Sequence, residues 1–246
     1  MRVPHHINIL FSPLVLKPHF LDSLHFIVIL PNLKFSSQVF GAHHLHQADC
    51  PEQTAIMRIP YVSNPPETKT EEHAAIVKRI EERRAPRPLQ SLDLALLHSP
   101  HVADGWNSFL GAVRTKTSLS DDLRELAISR VAVCNKAWYE WKHHAPLAVK
   151  GGVSEAGLEA IKQDTLGERP AELSEKQWAV ILFTDEMTRN VQVEDETFDR
   201  LREFFNEQEI VEITATVACY NCVSRFLVAL DVGERNGTDP EAVTGH

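Results

Sequence analysis

Cysteine, glycine and tyrosine are scarce in this 246-residue chain, with 4, 10 and 3 copies respectively. Four cysteines without framework spacing exclude a disulfide scaffold and fit a reducing, cytoplasmic setting. The glycines form no phosphate-cradling loop and no nucleophile elbow, and no His or Cys pattern has metal-ligand spacing. No metal and no cofactor are therefore expected. The longest apolar run near the start, "FIVILP" at 26–31, is too short to span a membrane, and the Arg-poor start does not fit a transit peptide. Lys and Arg number 25 against 34 Asp and Glu, and the net charge of −9 lacks a basic stripe. Nucleic acid and anionic membrane are thus not expected as partners.

Residues 1–56 differ from the rest. Arg2, Lys17 and Lys34 balance Asp22, Asp49 and Glu52, and seven of the 13 histidines fall here without helical periodicity or caps. The segment reads as a disordered extension or a gene-model artefact, with Met57 opening "MRIPYVSNPPE" like a natural N-terminus. Residues 57–246 then form the folded domain.

From residue 70 onward, start signals recur. Thr70, Ser99 before Pro100, Ser120 with two acids behind it, and Ser154 each precede a helical pattern. "SEKQ" at 174–177 and "NEQE" at 206–209 have capping-box form, and Gly151 and Gly152 stop a helix. Seven helical segments and no period-two alternation give an all-α domain with one sizeable core. A weak internal repeat links "ELAISRVAVCN" at 125–135 to "EITATVACYN" at 212–221. Repeated helical units need partners for their apolar faces, so a homo-oligomer is expected; shared Ala and Val content is the plainer explanation of the echo.

The stretch "VCNKAWYEWKHHAPLA" at 133–148 carries the densest chemistry. Glu140 and His144, four apart, share a helix face, where a carboxylate can fix the imidazole tautomer and raise its basicity; an exposed surface pair is the alternative. On one straight helix Glu125 would lie about 22 Å from Glu140, so it joins them only if the chain breaks, and Asn135 is the natural break. His143 points elsewhere and reads as a surface residue.

The blocks "LLHSPHVADGWNSFLGAVRTKTSL" (96–119), "DLRELAISRVAVCNKAWYEWKHHAPLAVKGGVSEAGLEAI" (122–161) and "EIVEITATVACYNCVSRFLVAL" (209–230) resemble, in this order, the carboxymuconolactone decarboxylase family of the alkylhydroperoxidase D-like superfamily. The resemblance spans about 57–233. It implies an alkylhydroperoxidase D-like helical domain, assembled as dimer, trimer or hexamer, with a site walled by the helices of the middle block. It also implies a cofactor-free lyase acting on a small carboxylated lactone or an aromatic or polyketide-type acid. In that chemistry His144 protonates the dienolate left by decarboxylation, and Glu140 or Glu125 holds and recharges it.

Arg114 and Arg130 are the candidate cations for the substrate carboxylate, Arg114 being favoured because it lies in a matching block. Trp106, Trp141 and His98 are candidates for the pocket wall, with core packing and capping as the alternatives. The superfamily's redox branch has a CxxC before its late His; here those positions are Ala137 and Glu140, and Cys134 has no partner nearby in sequence. A CxxC does occur at Cys219 and Cys222. If Asn221 capped a helix, as Asn135 would if it opens the next one rather than ending the last, Cys222 would be acidified at a helix N-terminus, giving a peroxidase or disulfide reductase as the alternative function. Its apolar flanks favour two core cysteines instead. A non-catalytic oligomeric protein is the third reading.

Overall fold

The computed structural model describes residues 57–240, so the expectations for residues 1–56 lie outside the described residues. Nine helices and no strand occur among the described residues. They are α1 (Glu71–Arg84), α2 (Ser91–Leu96), α3 (Pro100–Thr115), α4 (Asp121–Cys134), α5 (Trp138–Lys150), α6 (Glu155–Ile161), α7 (Glu175–Asn190), α8 (Asp195–Arg202) and α9 (Glu207–Leu230). The all-α expectation holds, with two helices more than the seven legible from start signals. α2 and α8 were missed because they are short, although Glu194 before α8 and its acids and arginines are a weak version of the same signature.

The caps work as their sequences imply. Thr70 accepts a hydrogen bond from the His73 N–H, Ser154 from Gly157 N–H, and both the Ser174–Gln177 and Asn206–Glu209 boxes are reciprocal. Ser99 and Ser120 occupy N-cap positions without a side-chain cap bond.

α4 is the central element, packed against α5, α7 and α9. Every residue from Glu125 to Val133 is buried, so this helix is covered on all sides, as a helix without a polar face must be. Among the described residues α9 alone is long and apolar enough to cross a membrane, but it packs on α3, α4, α5 and α7 as a core helix. The chain before α1 is tied to the far end of α9: Arg58 N–H donates to the Leu230 carbonyl at 2.9 Å, and the Tyr61 hydroxyl accepts from Gly233 N–H at 2.8 Å.

Two local features bring α4 and α5 together. Asn135 ends α4, Lys136 takes the left-handed conformation (φ 53°), and the Ala137 N–H returns to the Ala132 carbonyl at 2.8 Å. The chain therefore turns back at the junction expected from the sequence. At the other end Gly151 passes so close to α4 that a Cβ there would sit 2.9 Å from the Asp122 backbone nitrogen. The tight approach needs glycine for space, and it aligns α5 antiparallel to α4 along its length.

The two echoing segments lie in α4 and α9 and touch at their closing residues. Asn135 Nδ2 donates to Asn221 Oδ1 at 3.1 Å and to Ser224 Oγ at 3.0 Å. Their roles differ: Asn135 ends a helix, whereas Asn221 lies inside α9, its amide donating to the Val217 carbonyl and to Thr188 Oγ1. The expectation that Asn221 caps a helix is overturned.

Candidate active site

Turning α5 back along α4 brings Glu125 and His144, 19 residues apart, to 2.6 Å between Oε2 and Nδ1. Both are buried, at 3% and 7% exposure. The carboxylate that fixes the imidazole is therefore Glu125 on the neighbouring helix, not Glu140 on the same one. With Nδ1 donating to Glu125, Nε2 is left as the free nitrogen. The His144 ring stands edge-on to Tyr220 of α9, with centroids 5.0 Å apart. Burial lowers the His144 pKa while the Glu125 hydrogen bond and charge pull it upward; burial wins, and the imidazole rests neutral.

Glu140 is 2% exposed and neither carboxyl oxygen has a hydrogen-bond partner. Burial alone pushes its pKa well above the ordinary carboxyl value. Buried with no hydrogen-bond donor on either oxygen, the carboxyl is shifted toward its neutral form. The Tyr220 hydroxyl is likewise buried without a partner, and burial raises its pKa too.

Glu140, His144 and Tyr220 line an inner pocket of about 80 Å³, closed by Leu92, Leu110, Val223 and Leu227 and rimmed by Arg84 and Arg114. An outer cavity of about 280 Å³ shares Arg84, Arg87, Arg114 and Leu147 with it. Arg114 ends α3 and faces both cavities, and among the described residues it has no hydrogen-bonded or acidic partner. A small pocket with aliphatic residues in its wall thus holds a carboxyl and an imidazole together with three arginines, of which Arg114 has no hydrogen-bonded or acidic side-chain partner.

The other expected site residues go elsewhere. His143 is partly buried rather than on the surface: it lines the inner pocket, and its Nδ1 lies 2.7 Å from the Tyr139 carbonyl. Trp106 packs on Phe226 in the main core and Trp141, 1% exposed, fills a second core cluster; neither lines either cavity. His98 is exposed, with Nε2 2.6 Å from the Pro60 carbonyl, and it anchors the segment before α1. Arg130 is fully buried and engaged by Asp185 and by the carbonyls of Ile161, Gln163 and Asp164. It serves structure and cannot receive a substrate.

Cys219 and Cys222 are both free thiols in the middle of α9, and neither sits at a helix N-terminus. Cys219 is buried and its thiol is pushed up to about 12 by burial, whereas Cys222 is exposed beside Met187, Val191 and Arg225, away from His144. Under native conditions Cys222 should label with a maleimide and Cys219 should not, both becoming reactive in denaturant; mass spectrometry of the labelled chain checks this. Native labelling of both would restore the redox pair. Cys134 lies 3.2 Å from an Asp185 oxygen, and burial with that carboxylate raises its pKa to about 12.

The sequence profile of the carboxymuconolactone decarboxylase family matches residues 100–166, a span that carries Arg114, Glu125, Glu140 and His144. Tyr220 and the CxxC lie outside the family match. No curated protein sequence matches the chain. Among solved structures, the alkylhydroperoxidase AhpD core of a peroxidase-related protein from Ralstonia eutropha is similar over 72% of this chain and 91% of its own, at 20% identity and TM-score 0.59. A peroxidase-related protein from Silicibacter sp. aligns over 73% and 95%, at 18% and 0.57. A variant of the debrominase Bmp8 in complex with 2,3,4-tribromopyrrole aligns over 71% and 92%, at 16% and 0.57. At these identities the likeness is one of fold.

Tyr220 was not legible as a site residue. It lies within the quoted CxxC, but only the packing of α9 against α5 brings it to His144.

Proposed function

We propose that this chain is a cofactor-independent carboxy-lyase for a small carboxylated lactone or a related unsaturated or aromatic acid. The observation that carries this reading is a buried carboxyl without a partner, one helical turn from a carboxylate-held imidazole, in a pocket rimmed by Arg114. Arg114 binds the carboxylate that is to leave. The bond between that carboxylate and the ring breaks, CO2 departs, and the electron pair is delocalised into the neighbouring carbonyl. The resulting dienolate carbon takes its proton from Glu140, which is neutral at rest. His144, oriented by Glu125, accepts a solvent proton at Nε2 and returns it to Glu140, so each turnover consumes one proton and releases one CO2. The neutral resting state of His144 moves the direct donor role from the imidazole to Glu140 and leaves His144 as the relay.

The family match and the paired cavities support this reading over the redox one, for which a buried, high-pKa Cys219 is poorly suited. Exposed Val102 and Phe109, seven apart on α3, fit the proposed self-association. The test is CO2 release from a panel of carboxylated lactones and unsaturated acids. His144→Ala should lower turnover by about 10²-fold or more; an unchanged rate removes the relay. The sign of the pH dependence follows from Glu140: the rate holds while its carboxyl is protonated and falls as pH rises through its elevated pKa.

A further inference from the structure

Six cationic side chains line the outer cavity: Arg83, Arg84, Arg87, Arg114, Arg124 and Lys150, against Asp121 and Glu125. In a chain of net charge −9 this concentration is local, brought together from α1, the turn after it, α3, α4 and α5. Part of it is neutralised. Arg84 is bound to Asp93 through two contacts of 2.8 Å, and Arg83 approaches the same carboxylate at 3.9 Å. Arg124 meets Asp121 at 2.5 Å and Glu125 at 3.4 Å.

Arg87, Arg114 and Lys150 have no acidic or hydrogen-bonded side-chain partner among the described residues. Arg114 and Lys150 sit in the last turns of α3 and α5, where cations also answer the helix dipole. Each such helix end carries about half a negative charge, too little to neutralise three full cations.

Resting on the lyase reading, in which the leaving carboxylate occupies Arg114 at the inner mouth, we infer that the outer cavity is a subsite for a phosphoryl group that the substrate carries and keeps. Arg87 and Lys150 then face one retained group with two cations, which suits a phosphate dianion better than a second carboxylate. The guanidinium fork of Arg87 matches phosphate oxygens in pairs, and Lys150 adds a point charge. The substrate class is thus a phosphorylated unsaturated acid, with its phosphoryl end outside and its reacting carbon within.

The full chain is titrated with inorganic phosphate by calorimetry, with acetate at matched ionic strength as the comparison. The wild type and Glu140→Gln are expected to bind phosphate alike and in preference to acetate. The double variant Arg87→Gln/Lys150→Gln, altered at two exposed positions, should bind at least ~10-fold more weakly, by loss of charge-assisted contacts. Phosphate bound no better than acetate by the wild type, or equally well by the double variant, overturns the inference. Phosphate binding without decarboxylation of any acid would keep the subsite and remove the lyase reading.

Discussion

Glu140→Gln is expected to lower decarboxylation by about 10²-fold or more while the fold is kept. The amide has the shape of the neutral carboxyl but no acidic proton, and Glu140 has no hydrogen-bond partner whose loss would disturb the packing. Stability separates this from a general defect. Because burial raises the folded-state pKa of Glu140, the folded protein holds the proton more tightly than the unfolded chain does. The contribution of that proton is fully present below the unfolded carboxyl pKa, near 4.3, and is lost as pH rises toward the folded value. Wild type should therefore lose stability over that window, and the Gln variant should not. Urea denaturation as a function of pH measures this, the slope of stability against pH over that window being expected to be smaller in the variant. An active variant contradicts the role of Glu140, and a variant with the same pH dependence of stability as the wild type contradicts its protonation.

Arg130→Ala is expected to cost about 3–5 kcal/mol of stability, the usual consequence of removing one partner from a buried ion pair. The guanidinium is fully buried and satisfies Asp185 together with the carbonyls of Ile161, which ends α6, and of Gln163 and Asp164 just beyond it. Its loss leaves the Ile161 and Gln163 carbonyls without that donor, although Arg189 still reaches Asp185 at 3.1 Å and the Asp164 carbonyl. The denaturant midpoint of the variant against wild type checks this. A loss below about 1 kcal/mol, the range of surface ion pairs, would contradict the structural role given to Arg130.

The helices were legible because their signals are local: a hydroxyl or amide cap, acids in the first turn and glycine at the stop all act within four residues. The α4–α5 turn was legible for the same reason, through Asn135. Glu125, Glu140 and His144 were likewise visible in the sequence, but their pairing was not. Spacing of four pointed to Glu140 as the partner of His144, and only the packing of two helices shows that Glu125 takes that place at 2.6 Å. The tryptophans misled because aromatic area serves a core as well as a pocket wall. The cations of the outer cavity escaped notice because they come from separate elements in an acidic chain, so no window of sequence holds more than a few of them. Arg130 looked available because a sequence does not reveal which carbonyls a guanidinium will satisfy.

The measurement that bears most directly on the central claim is infrared difference spectroscopy of the full chain at neutral pH, wild type minus Glu140→Gln, in the carbonyl region of protonated carboxyls. A protonated-carboxyl band is expected in the wild type, absent from the variant and fading as the pH is raised. The absence of that band at neutral pH would mean that Glu140 is ionised, and it could not then be the acid that protonates the dienolate.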